Sequence, residues 1–118
     1  MVKDRYLHGV IRADLREKMV FIGGPRQVGK TTFARFLGEH DYKAYGYLNW
    51  DNRQDRKNIL EGEFPAGIGL LVFDEIHKYK KWKNYVKGEF DAHKDNVHIL
   101  VTGSARLDLY RRGGDSLQ

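Results

Sequence analysis

The segment GPRQVGKT, residues 24–31, has residue types and spacing that suit the binding of phosphate groups. It fits the pattern G-x-x-x-x-G-K-[ST] without a gap. Gly24 and Gly29 permit backbone conformations and close approaches that a Cβ would block, so that successive N–H groups can point at one anion. Lys30 can reach the β- and γ-phosphates of a nucleotide, and the hydroxyl of Thr31 can bind Mg²⁺.

Three further residues belong to the same predicted phosphate site. The N–H groups of Gln27 and Val28 form part of the curled loop, and Thr32 can add a hydroxyl near the α-phosphate. The alternative is a glycine-rich turn that contains a lysine by chance. The segment follows a predicted strand and begins a predicted helix, which is the context that phosphate binding requires. Phosphate binding is therefore the favoured interpretation.

An acidic pair, Asp74 and Glu75, ends the apolar run "IGLLVF". Because ligands bind at the carboxyl ends of parallel strands, we expect Asp74 to lie beside the phosphate loop and to hold Mg²⁺, through a water molecule. Glu75 can accept a proton from an attacking water. The alternative is a pair of carboxylates that cap a turn between a strand and a helix. The phosphate loop elsewhere in the chain favours the metal and the proton acceptor.

A third apolar run, "VHILVTGS", ends in small polar residues. If this strand lies between the other two, a hydroxyl at its end can orient water and sense the γ-phosphate. Thr102 is the first candidate for that role and Ser104 the second. Ser104 is also a candidate N-cap of the following helix, and the two roles are compatible.

The elements that must position these residues follow from the hydrophobic pattern. Helical periodicity predicts helices over residues 5–16, 31–39 and 52–63 and around Trp82 to Phe90, with a short helix in the tail. Compact apolar runs predict strands over residues 19–24, 42–51, 68–75 and 97–104. We expect Phe33, Phe36 and Leu37 to share one face of the second helix, and the helix over 52–63 to pack little. Strands that alternate with helices indicate an α/β fold with a mainly parallel sheet.

Composition narrows the class of protein. The chain has 118 residues, 41% hydrophobic and 31% charged, which is typical of one folded domain. No apolar run is long enough to cross a bilayer, and the first residues lack the apolar core of a secretion signal. The absence of cysteine excludes disulfides, cysteine nucleophiles and thiolate metal sites, and it fits a reducing compartment. Together these features lead us to expect a cytoplasmic protein without membrane contact.

The net charge of +5 favours anionic partners, which include both nucleoside triphosphates and nucleic acid. In residues 77–87, lysines alternate with Tyr79, Trp82 and Tyr85, a combination that can bind single-stranded nucleic acid. The helical spacing of Trp82, Tyr85, Val86 and Phe90 instead predicts rings that face the core and lysines that face water. Nucleic-acid binding stays open as the less favoured interpretation.

Four stretches together resemble a known family: "GPRQVGKTT", "YLNWD", "VFDEIHKYKKW" and "ILVTGSARLDLYRRGGDSL". They are similar to the AAA-type P-loop ATPases of bacteria and archaea that carry a C-terminal domain of unknown function. The resemblance implies a three-layer P-loop NTPase core that binds ATP and Mg²⁺, with strand order 5-1-4-3-2. It also implies that Lys30 and Thr31 act in the phosphate loop (Walker A), Asp74 binds Mg²⁺ (Walker B), Glu75 is the base and Thr102 the sensor.

The sequence also departs from this family. Only four strands are predicted, which leaves the order 1-4-3-2 with the fifth strand missing, and we expect a single ATPase core over residues 1–118 that is truncated at its C-terminus. The first strand would then expose an apolar edge at residues 19–22, where a second copy or another protein could pair. Arg106, Arg111 and Arg112 are the candidates for an arginine finger.

Overall fold

The computed structural model describes residues 2–23 and 30–104, with side chains from residue 9 onward. Helices and strands alternate along this part of the chain, which confirms the predicted α/β class. The elements are α1 (Val2–Leu15), β1 (Val20–Ile22), α2 (Lys30–Asp41), β2 (Tyr45–Asn49), α3 (Arg53–Glu61), β3 (Leu70–Asp74), a short 3-10 helix (Ile76–Lys78), α4 (Trp82–His93) and β4 (His98–Thr102). The predicted tail helix lies outside the described residues.

The strands form one four-stranded parallel sheet in the order β1-β4-β3-β2. This is the order 1-4-3-2 that the family resemblance implied. In the register of the sheet, Asp74 lies opposite Asn49 on one side and opposite Thr102 on the other. Because all strands run in the same direction, their carboxyl ends meet at a single edge, and the ends of β2, β3 and β4 lie next to one another there.

Strand β3 is the centre of the core, and each of its residues is buried. Leu70 and Val72 pack with residues of α1 and α2 on one face of the sheet. Leu71 and Phe73 pack with residues of α3 and α4 on the other face. Alternate side chains of one strand thus hold two helical layers against the sheet, which gives the predicted three-layer arrangement.

Of two packing predictions from the sequence, the one for Phe36 was wrong and the one for α3 is confirmed. Phe36 is 42% exposed, because Ala34, Leu37 and Gly38 form the face of α2 that meets the sheet. Helix α3 packs little, as predicted: six of its nine residues are exposed, and Ile59 is its one buried residue. On α2 the buried face includes small residues, whereas the hydrophobic pattern gives more weight to large ones.

Strand β1 lies at the edge of the described sheet and pairs there with β4. The predicted edge at residues 19–22 is therefore present, but its side chains are less exposed than expected: Met19 and Val20 are buried. Within residues 2–23 and 30–104, no helix has the length and apolar character needed to cross a membrane.

Candidate functional site

A cavity of about 380 Å³ lies at the carboxyl edge of the sheet, where α2 begins. Eight side chains from four separate segments line it: Lys30, Thr31, Tyr47, Asn49, Asp51, Asp74, Glu75 and Ser104. The structure thus brings together residues that the sequence analysis selected from the phosphate loop, the acidic pair and the end of the last strand.

Asp74 accepts hydrogen bonds from three hydroxyl groups on three different elements. Thr31 Oγ1, at the start of α2, donates to Asp74 Oδ2 at 3.0 Å. Thr102 Oγ1, at the end of β4, donates to Asp74 Oδ1 at 2.9 Å. The phenol of Tyr47, on β2, also donates to Asp74 Oδ2. Since Asp74 is 5% exposed, these hydroxyls replace most of the water that an ionised carboxylate would otherwise hold.

Glu75 has a different environment from the acid beside it. Its backbone is in the left-handed region, with φ 59° and ψ 22°, a conformation that costs a residue other than glycine about 1 to 2 kcal/mol. A hydrogen bond from its N–H to Thr102 O, at 2.8 Å, stabilises this turn. Its side chain does not cap the 3-10 helix that follows, so capping gives no explanation of the glutamate. Strain of this kind is concentrated at functional sites.

Three donor or cationic groups surround one oxygen of the Glu75 carboxylate. Ser104 Oγ donates to Oε1 at 3.0 Å. His77 Nε2 lies 3.5 Å and Lys78 Nζ lies 3.6 Å from the same oxygen. Lys78 also donates to both carboxylate oxygens of Asp51, at 2.8 and 3.0 Å, and this hydrogen bond raises the pKa of Lys78. The end of β4 and the 3-10 helix therefore fix the position of Glu75 between them.

A protein-family model described as an AAA domain matches residues 16–118, a range that includes every segment of this site. The chain belongs to the AAA domain family. It is therefore a nucleotide-binding module of the AAA type, as the resemblance implied. Among curated proteins, none matches the chain.

Tyr47, Asn49 and Asp51 line the cavity of this AAA domain, although the sequence predicted no role for them. Burial, followed by the hydrogen bond to Asp74, raises the pKa of Tyr47 to about 12, so the phenol is a neutral donor near pH 7. The guanidinium of Arg35, on α2, lies 4.3 Å from the centre of the Tyr47 ring. The signal in the sequence is that Tyr47 begins YLNWD, a stretch that carries the family resemblance but assigns Tyr47 no role.

The oxygen atoms of this AAA domain suit a magnesium ion. Within the described ranges 2–23 and 30–104, no cluster of three or more His, Cys, Asp or Glu residues forms a metal site made by the protein alone. Mg²⁺ instead binds one or two protein oxygens together with the phosphates of a nucleotide. The Thr31 hydroxyl and the Asp74 carboxylate, 3.0 Å apart, are oxygen donors of this kind.

The remaining predicted residues of the AAA domain have varied outcomes. Thr32 is exposed on the first turn of α2. Thr102 is fully buried, and its hydroxyl contacts Asp74, whereas Ser104 lines the cavity. Seven predicted residues lie outside the described part of the chain: Gly24, Gln27, Val28, Gly29, Arg106, Arg111 and Arg112. The roles assigned to all of these residues stay predictions.

The aromatic rings of residues 77–87 pack within the domain. Tyr79 stacks on Trp50 with ring centres 4.7 Å apart, Trp82 is 4% exposed, and Tyr85 donates to Ile59 O at 2.9 Å. Burial raises the pKa of Tyr85 well above its usual range. Trp82 therefore faces inward, as the helical spacing predicted, whereas Tyr79 and Tyr85 are half-buried, and Tyr79 lines a cavity with Lys80, Lys81 and Lys83. Nucleic-acid binding by this stretch stays the less favoured interpretation.

Proposed function

We propose that this AAA domain binds ATP with Mg²⁺ and hydrolyses it. The observation that carries the proposal is the convergence of Lys30, Thr31, Asp74 and Glu75 on one cavity at the carboxyl edge of the sheet. A cation, a hydroxyl, a buried carboxylate and a second carboxylate are the groups that phosphoryl transfer to water requires. The choice of ATP over GTP rests on the family resemblance.

Binding would depend on charge and on backbone donors. Lys30 is the first residue of α2, so its ammonium group lies at the positive end of the helix dipole, where phosphate oxygens are favoured. Thr31 and Asp74 would hold Mg²⁺, which supplies neutralisation of charge on the phosphate oxygens. Thr102 fixes the orientation of the Asp74 carboxylate through a hydrogen bond of 2.9 Å. Catalysis would then come mainly from positioning and electrostatics.

Glu75 is the proposed general base. A water oxygen forms a bond to the γ-phosphorus while the bond from that phosphorus to the bridging oxygen breaks, so that ADP leaves with the electron pair. Glu75 takes one proton from the attacking water and releases it afterwards to solvent. Ser104, which donates to Glu75 Oε1, would hold this carboxylate in place during the step.

Two variants test the proposal. Lys30→Ala should abolish binding of MgATP in a calorimetric titration, because the phosphate charge loses its counterion. Glu75→Gln should bind MgATP normally but lose phosphate release, since an amide accepts no proton. The exposed residues Lys43 and Glu63 supply the matched controls Lys43→Ala and Glu63→Gln, which should behave like the wild type. Unchanged turnover in Glu75→Gln would contradict the role of this residue. Titrations with MgGTP and MgADP would measure the preference of the site for adenine over guanine and for a triphosphate over a diphosphate.

A nucleotide-dependent switch without hydrolysis is the second candidate function. It is favoured by the position of Glu75, one oxygen of which already accepts from Ser104 and lies within 3.6 Å of Lys78. An oxygen that already has these partners is less available to an attacking water. Tight binding of MgATP by the wild type with no release of phosphate would support the switch.

A further inference from the structure

Two hydroxyl groups donate to the same oxygen of Asp74. Thr31 and Tyr47 both donate to Oδ2, whereas Thr102 donates to Oδ1. Each oxygen of an ionised carboxylate has about two lone-pair positions, so Thr31 and Tyr47 together fill the capacity of Oδ2. A further donor can reach this oxygen only if one of them leaves.

The structure holds Tyr47 in this position from several sides. Its backbone is paired with Val72 of β3, and the Arg35 guanidinium covers its ring at 4.3 Å. Tyr47 lines the cavity with Thr31 and Asp74, and its hydroxyl donates to Asp74 Oδ2. Tyr47 is therefore placed to act on Asp74 directly and not only as part of the core.

We propose that Tyr47 competes with a divalent cation for Asp74 and thereby sets the Mg²⁺ concentration at which the nucleotide site fills. The inference rests on the proposed function, in which Thr31 and Asp74 hold Mg²⁺. Thr31 Oγ1 is 3.0 Å from Asp74 Oδ2, so a cation on this hydroxyl approaches Asp74 from the side of Oδ2. Thr31 is itself a proposed ligand of this cation, so the phenol of Tyr47 is the partner on Oδ2 that the cation or its bound water displaces. Tyr47 is thus a positioning residue whose removal should favour the metal.

The variant Tyr47→Phe tests this inference, because it keeps the ring and removes only the hydroxyl. Binding of a fluorescent ATP analogue is measured at fixed concentration while Mg²⁺ is titrated, with a baseline in EDTA. We expect half-saturation at about tenfold lower Mg²⁺ than in the wild type, the size expected when a hydrogen bond to a charged group no longer has to be broken. Tyr45→Phe is the matched control on the same strand, since the Tyr45 hydroxyl makes a long, exposed contact of 3.4 Å with Glu39. It should leave the Mg²⁺ requirement unchanged.

Thermal unfolding in EDTA separates competition from a structural role. Tyr47→Phe should lower the melting temperature without metal, because the hydrogen bond to Asp74 is lost, while it increases the affinity for Mg²⁺. A higher or unchanged Mg²⁺ requirement in Tyr47→Phe would overturn the inference. Failure of the wild type to bind the analogue at any Mg²⁺ concentration would instead contradict the proposed function, and the inference with it.

Discussion

At the scale of single residues, the neighbours Asp74 and Glu75 have environments that suit different tasks. Asp74 is buried and accepts from hydroxyls on α2, β2 and β4, so its position is fixed by three elements. Glu75 has a strained left-handed backbone, and Lys78 lies 3.6 Å from its carboxylate. An acid with a fixed orientation suits a metal ligand, whereas an acid placed on a strained turn beside the cavity suits proton transfer.

The hydrogen bond between Thr102 and Asp74 can be tested through stability. Thr102→Val keeps the shape of the side chain and removes the donor from a fully buried position. Because a buried charged acceptor loses a partner, we expect the free energy of unfolding to fall by about 1.5 to 3 kcal/mol. Urea unfolding without nucleotide measures the change.

A matched substitution serves as the control for Thr102→Val. Thr32 is exposed on α2, so Thr32→Val should change the free energy of unfolding by no more than about 0.5 kcal/mol. Equal effects of the two substitutions would contradict the structural importance assigned to the Thr102 hydroxyl.

The site was predictable where a motif carries its chemistry. Lys30, Thr31 and the acidic pair follow from local patterns that require particular residue types at particular spacings. Tyr47 does not, because its hydrogen bond to Asp74 joins residues 27 positions apart and depends on the pairing of β2 with β3. No local pattern contains the register of a parallel sheet.

At the scale of elements, α2 approaches β2 closely because Gly38 has no side chain. A Cβ built on Gly38 would lie 2.6 Å from Cδ1 of Tyr45, whose ring fills the space beside the helix. This close approach determines which face of α2 is buried and leaves Phe36 exposed. The sequence predicted the helix but not which face of it is buried, because the contact with Tyr45 depends on the absence of a side chain at Gly38.

Two substitutions of glycine by alanine test the contact between α2 and β2. Alanine is favoured over glycine in a helix by about 1 kcal/mol, and Gly88→Ala on α4 should show this gain, because a Cβ there meets nothing within 4 Å. Gly38→Ala should instead lower the free energy of unfolding by about 1 kcal/mol or more, since the clash with Tyr45 outweighs the gain. Chemical unfolding of both variants gives the comparison. An equal gain at the two positions would show that α2 does not rest on the Tyr45 ring.

At the scale of the whole molecule, the two ends of the parallel sheet differ in chemistry. The carboxyl edge carries the cavity with its acids, hydroxyls and Lys30. At the opposite end, Tyr42 and His98 form a hydrogen bond of 2.6 Å between Oη and Nδ1. Burial raises the pKa of Tyr42 and lowers the pKa of His98, so both groups are neutral near pH 7. We therefore expect a nucleotide to bind at the carboxyl edge and not beside Tyr42 and His98.

The sequence predicted the α/β class and the number of strands in the described sheet, because buried strands and helices differ in hydrophobic period. The order 1-4-3-2 came from the family resemblance, since no periodic pattern specifies which strands are neighbours. Pairing of a second copy or another protein at the β1 edge stays a prediction. This pairing requires β1 to be an edge strand, and β1 is at the edge of the described sheet.

The most direct test of the account is to map MgADP binding by NMR on the 118-residue chain labelled with ¹⁵N. MgADP should shift the amide signals of Lys30, Thr31, Asp74 and Ser104, while the amides of Tyr42 and His98 stay unchanged. Shifts confined to the end of the sheet that carries Tyr42 and His98, or no shifts at saturating MgADP, would contradict a nucleotide site at the start of α2.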